Sequence, residues 1–252
     1  MILDCETYNS TLKSVSQIYN STTQQVEACL ESINSTDIDF LIKECPNVSV
    51  SKANLKLFES KIGRDPSNLT QVNWFHLTRA FDASNFTKGI LPVNDVIESI
   101  WINLINNMPD KATNLRQLKD GDQLDPLYWD RIEDNSLVGP YGFLVREVSI
   151  YTMNIGYHSF LKMPEIIDYI CRGYKNLFGY DITEEVKNLL TPMIVKFRSQ
   201  KILSKDCIES AVFYLFLKIK RKELNDYAST NFNGRNSAIP AKDIIKCETQ
   251  TI

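Results

Sequence analysis

The 252-residue chain has only two histidines, His76 and His158, and its six cysteines (Cys5, Cys29, Cys45, Cys171, Cys207 and Cys247) are scattered with no CxxC pair. That spacing offers neither a zinc-type ligand set nor a disulfide framework, so no metal is expected and the thiols read as reduced structural residues. No window reaches the roughly 18 uninterrupted apolar residues of a membrane span. The start, MILDCETYNSTLK, carries an acid early and lacks the basic-then-apolar layout of a secretion signal. A cytosolic protein is the expectation. Also missing are GxSxG, HExxH, a GxxxxGKS/T loop and any other Gly-rich nucleotide loop, which leaves the common hydrolase, kinase and Rossmann readings without support.

What is present is ordinary globular material. Hydrophobic residues make up 43% and charged residues 23% of the chain, enough apolar surface for a packed core and too much for bulk disorder. The net charge of −3 argues against duplex nucleic acid covering the whole surface. Several Asn-x-Ser/Thr triplets in the first 85 residues follow from the high Asn content rather than from glycosylation. Frequent Asn, Ile and Lys fit an AT-rich bacterial or phage genome. No internal repeat is visible.

Hydrophobic spacing divides the chain into an expected helical accessory region, residues 1–70, and an α+β core, residues 71–252. In TTQQVEACLESI, Val26, Cys29, Leu30 and Ile33 recur at helical spacing, with Thr22 or Thr23 as cap. VSVSKANLKLFESKIG repeats the pattern through Leu55, Phe58 and Ile62, from Ser51 to a stop at Gly63. VNWFHLT, short and rich in aromatic and β-branched residues, predicts a strand. VNDVIESIWINLI predicts an apolar-faced helix. The polar stretch NNMPDKATNLRQLKDGDQLDPLYWDRIEDNS predicts an irregular or helical excursion. GPYGFLVREVSIYTM predicts a second strand. A helical insertion is expected over about 160–200, beginning at Pro164 and with Thr183 capping a later helix. AVFYLFLKI suits either a buried helix or a strand, and DIIKCET a last short strand. A few strands among many helices give an α+β class with a small mixed sheet.

One constellation carries chemistry. If VNWFHLT is extended, His76 and Thr78 point to the same side and offer a ring nitrogen and a hydroxyl to one space, which suits a ligand rich in hydroxyls such as a ribose. Arg79 at the strand exit has a planar fork that matches a phosphate or carboxylate. The competing reading is a half-buried packing histidine. Lys218, Lys220, Arg221 and Lys222 in LKIKRKEL read more readily as a solvated helix end than as a phosphate-binding face. His158 has no spacing that ties it to a nucleophile.

FHLTR followed by FTKGILP resembles the His-x-Thr strand and Gly-Ile/Leu-Leu turn of the ADP-ribosyltransferase-like fold, the fold of His-Tyr-Glu transferases, DNA-targeting ADP-ribosyltransferase toxins and tRNA 2′-phosphotransferases. The tail IPAKDIIKCE is similar to a Val/Ile-Pro-x-x-x-Ile segment near the end of several of those enzymes, and GPYGFLVREV would supply a central strand. The resemblance covers Val72 to Pro92 and the last 20 residues. It implies that His76 hydrogen-bonds the ribose of NAD, with Thr78 supporting that strand. It also implies a tyrosine stacked on the nicotinamide. Tyr141, Tyr151 and Tyr157 compete for that place, with Tyr157 preferred because it begins YHSFL. The family's late glutamate is not found: NFNGRNSA, just before IPAKD, has no acid, and Glu223 and Asp226 lie upstream.

Two functional readings stand side by side. In one, the chain binds NAD or a ribose phosphate, with His76, Thr78, Arg79 and Tyr157 as binding residues and no identified catalytic acid. It would transfer ADP-ribose in a toxin or phage-defence setting. In the other, a fold without its acid serves as an immunity or antitoxin protein that binds and neutralises a toxin, its acidity suiting a basic partner. A helical domain with no site is the plainest outcome.

Overall fold

The structure is a computed structural model and describes residues 1–82, 85–121, 123–151, 158–201 and 203–251. In chain order the elements are β1 (Ile2–Leu3), α1 (Tyr8–Ile18), α2 (Thr23–Glu31), α3 (Ser35–Glu44), α4 (Val50–Ile62), β2 (Gln71–Ala80), α5 (Val93–Asn107), α6 (Ala112–Asp120), α7 (Pro126–Glu133) and β3 (Tyr141–Phe143). They continue with α8 (Arg146–Ile150), α9 (Glu165–Phe178), α10 (Thr183–Asn188), β4 (Thr191–Ser199), α11 (Lys205–Ile219), β5 (Asn231–Asn233) and β6 (Ile244–Thr249). The class is α+β. The strands make an open sheet in the order β5-β3-β2-β4-β6, with β1 alongside β2. The β1–β2 pair is parallel, and the β2–β3 and β4–β6 pairs are antiparallel.

The chain forms two compact units. One comprises residues 1–75, 142–156 and 198–232, and the other 76–141, 157–197 and 233–252. The switch at 75/76 falls inside β2, five residues past the expected boundary, and the first unit takes back two later segments of the chain.

In the first unit the helices begin where the local chemistry lets them. Thr22 caps α2 through its hydroxyl, which accepts from the Gln25 amide at 3.2 Å, while the Gln25 side chain accepts from the Thr22 amide at 2.9 Å. Two donors that a helix start leaves open are thereby satisfied. Ser49, not Ser51, caps α4, and Gly63 ends it at φ 64°, a left-handed turn that costs glycine little. Helix α11 packs against α1, α2 and α4. From Cys207 to Leu217 all but one of its residues are buried, so it has no polar stripe, and this is why AVFYLFLKI showed no diagnostic period. Its length settles it as helix. Its polar atoms are tied inside the unit: the Tyr214 hydroxyl donates to Glu147 at 2.8 Å, and Lys218 pairs with the other oxygen of that carboxylate at 2.7 Å.

The second unit has a helical core of its own, in which α9 lies with α5, α6 and α7. The stripe of α9, Ile166, Ile167, Ile170, Cys171 and Tyr174, is buried there. Trp101 lies in the same cluster and donates its indole N–H to the Tyr128 hydroxyl at 2.9 Å. Gly179 closes α9 at φ 73°.

Three expectations about local structure are corrected. The insertion expected to be helical to about residue 200 contains strand β4 in its last part: Pro192 has no amide hydrogen to offer a helix, and Met193 to Phe197 are all buried, so no alternation marked the strand. Among the described residues of GPYGFLVREVSIYTM the strand is Tyr141–Phe143, and the chain turns helical at Arg146. Thr183 does not cap α10. Its amide instead donates to the Asp181 carboxylate at 2.9 Å. Among the described residues no helix is long and apolar enough to cross a membrane.

Candidate functional site

Beyond Phe75, β2 alternates. His76, Thr78 and Ala80 are half-buried, whereas Leu77 and Arg79 on the other face are buried. The His76 ring is anchored: its Nδ1 lies 2.8 Å from the Tyr141 carbonyl oxygen. A carbonyl only accepts, so Nδ1 carries the hydrogen and donates, which leaves Nε2 of the neutral ring as an acceptor. Burial lowers the pKa of His76, outweighing the opposing pull of the Tyr141 carbonyl. The ring is therefore neutral at pH 7, ready to receive an O–H or N–H.

This face of β2 lines a cavity of about 390 Å³, built wholly from residues of the second unit and within the usual range of small-molecule sites. His76 and Thr78 contribute from the strand, and Gly89, Ile90 and Leu91 from the turn that follows it. Asp95, Ser99 and Asn103 reach the cavity from α5. The turn is held firmly. Ile90 and Ile239 exchange backbone hydrogen bonds at 2.9 and 2.8 Å. Gly89 sits at φ 95°, and a Cβ there would run into the Ile239 carbonyl, so only glycine fits. The FTKGILP and IPAKD segments, far apart in sequence, thus meet.

A polar cluster completes the wall. Tyr141 lies in the lining, its hydroxyl donating to the Leu137 carbonyl at 2.8 Å. Burial raises its pKa, with Arg131 pulling the other way, so the phenol stays protonated. The Arg131 guanidinium stands 5.8 Å from the centre of the Tyr141 ring, a cation–π distance. Its Nη2 pairs with Glu165 at 2.8 Å. Among the described residues its Nη1 makes only long contacts, 3.3 Å to the Tyr141 hydroxyl and 3.4 Å to the Leu137 carbonyl. Arg131 and Glu165 both line the cavity and are about three-quarters shielded from solvent. Lys88 lines it too and is exposed.

The residues singled out from sequence thus divide. His76 and Thr78 come together in the cavity. Arg79 lines it as well, but its fork is committed elsewhere: Nε donates to Leu161 O at 2.6 Å, and Nη1 to Lys187 O and Leu190 O at 3.0 Å each. Through Nε and Nη1, Arg79 joins β2 to the two chain segments that carry those carbonyls. Tyr157 lies outside the described residues. Tyr151 is half-exposed and belongs to the first unit, which leaves Tyr141 as the cavity's tyrosine among the described residues. His158 gives its Nε2 to the Met163 carbonyl at 2.5 Å. In the basic run, Lys218 pairs with Glu147, Lys220 donates to Glu31 O, and Lys222 donates to the Ser35 hydroxyl. These contacts tie down a helix end.

Arg131 and Glu165 were not found from sequence. Glu165 begins α9 just after Pro164, where an acid is favoured by the helix dipole alone. Arg131 sits in the last turn of α7, a common place for a base. Nothing in a single sequence links the two. Among the described residues no cluster of three or more His, Cys, Asp or Glu could hold a metal ion. No protein-family model matches the chain, and neither does any curated protein or solved structure.

Proposed function

We propose that the second unit binds NAD or a simpler ribose phosphate in this cavity, and that it acts as an ADP-ribosyltransferase-like protein. One observation carries the reading: a neutral His76 with a free acceptor, the Thr78 hydroxyl, Tyr141 and a carboxylate, Glu165, line one hollow of small-molecule size. His76 Nε2 accepts from a ribose hydroxyl, and Thr78 can donate to or accept from its neighbour. Tyr141 offers a ring for a planar group to stack on. Glu165 is the acid absent from the segment before IPAKD. A carboxylate here would stabilise the positive charge that develops on the ribose carbon as its bond to nicotinamide breaks and an acceptor's oxygen or nitrogen attacks.

Calorimetric titration with NAD, followed by mass spectrometry of candidate acceptors, tests the proposal. Saturable binding that is lost in His76→Ala supports it. No binding at millimolar NAD removes the enzymatic claim.

The partner-binding reading draws on one observation of its own, that Glu165 is already neutralised by Arg131, as in a site that no longer turns over. A toxin gene directly upstream, together with biological activity that survives His76→Ala, would favour that alternative.

A further inference from the structure

The Arg131–Glu165 pair lies in the cavity wall and is asymmetric. Arginine binds carboxylates and phosphates best through two parallel N–H bonds. Here Glu165 takes one, at 2.8 Å, and among the described residues the other arm reaches only the Tyr141 hydroxyl at 3.3 Å and the Leu137 carbonyl at 3.4 Å. Those two contacts are longer than a good N–H···O bond. Arg131 is thus held but incompletely satisfied, with its plane near the Tyr141 ring and a cavity in front of it. Of the other cations lining the cavity, Arg79 is committed to three backbone carbonyls, and Lys88 is an exposed point charge without a planar fork.

We infer that Arg131 is the anion-recognition residue of the cavity and that Glu165 is its internal competitor. An entering phosphate takes both arms of the guanidinium and displaces the carboxylate, which is then free to turn to the ligand. The inference rests on the reading of the cavity as a ribose-phosphate site and adds two things: Arg131 is the residue that takes the phosphate, and the carboxylate is released only by a phosphorylated ligand. No bond is made or broken in this step. One ion pair is exchanged for another.

The exchange has a sign that a plain binding role for Glu165 would not give. Calorimetry of the full chain with ribose 5-phosphate and with unphosphorylated ribose, on the wild type, Glu165→Gln and Arg131→Gln, reads it, thermal melts having first shown which variants fold. Removing the competing charge in Glu165→Gln should tighten ribose 5-phosphate relative to ribose by about fivefold, the worth of one partly exposed ion pair. Arg131→Gln should bring ribose 5-phosphate down to the affinity of ribose, and it decides the matter alone if Glu165→Gln does not fold. Weaker or unchanged ribose 5-phosphate binding relative to ribose in Glu165→Gln overturns the exchange while leaving the ribose-phosphate reading intact. So does a phosphate preference that survives Arg131→Gln. Failure of the wild type and of Glu165→Gln to bind either compound sinks the ribose-phosphate reading and the exchange with it.

Discussion

From Val72 to Phe75 every side chain of β2 is buried, Asn73 included, whereas from His76 to Ala80 the same strand alternates half-buried and buried positions. The first stretch belongs to one compact unit and the second to the other. Where both faces are covered, side chains are large and mostly apolar: Trp74 lies 5.6 Å from Phe232, ring centre to ring centre. Where one face opens on a cavity, the residues on that face become His, Thr and Ala. Change of burial along one strand, rather than change of secondary structure, separates the part that stabilises from the part that can bind.

The largest effect that would sharpen this contrast is Trp74→Ala, which empties a fully buried site and should cost about 3–5 kcal/mol in chemical denaturation. Thr78→Ala on the open half should shift the denaturation midpoint little and reduce ligand affinity instead. Equal losses from the two substitutions would break the comparison.

Arg79→Ala comes next. It strands three backbone carbonyls that now share one guanidinium, and about 3 kcal/mol of stability should go with it. Arg79→Lys should recover little, because an ammonium on a flexible stem cannot match the fork. Full rescue by lysine in an unfolding titration would show that charge alone matters there.

Gly89→Ala should cost about 1–3 kcal/mol, through the strain of φ 95° and the collision with Ile239, and should weaken ligand binding together with stability. A variant with wild-type melting and wild-type binding would mean that the turn is not part of the wall.

The smallest effect is on pH dependence. His76 has a folded pKa below its usual 6.5 because of burial. As pH falls below 6.5 the unfolded chain takes up a proton that the folded one refuses, so stability declines there and levels off below the folded pKa. Above 6.5 the group has no such effect. Between pH 7.5 and 5 the melting temperature of the wild type should therefore fall more than that of His76→Gln. Parallel curves would show that the ring is hydrated.

Much of this was legible in the sequence because it is local. The caps at Thr22 and Gly63, the strand from Val72 and the final strand at Ile244 all announce themselves within a few residues. The parts that were not legible depend on distant neighbours. Strand β4 is covered on both sides and so lacks alternation, and α11 is buried all round and so lacks a stripe. Arg79 looked available for a phosphate because its three carbonyl partners lie in segments more than eighty residues away in the chain. Arg131 and Glu165 each had an ordinary helical explanation, and only folding brings them to one wall.

The clasp between Ile90 and Ile239 gives the tail an influence out of proportion to its length. A protease cut or premature stop just ahead of Ile239 would remove none of the side chains that line the hollow, yet the loop bearing Gly89, Ile90 and Leu91 would lose both of its main-chain tethers. Trimming there would also strip β6 from β4, so loss of ligand binding would report a lost framework rather than a missing contact. Affinity handles and fusions at this end are best joined beyond Thr249, where β6 is complete.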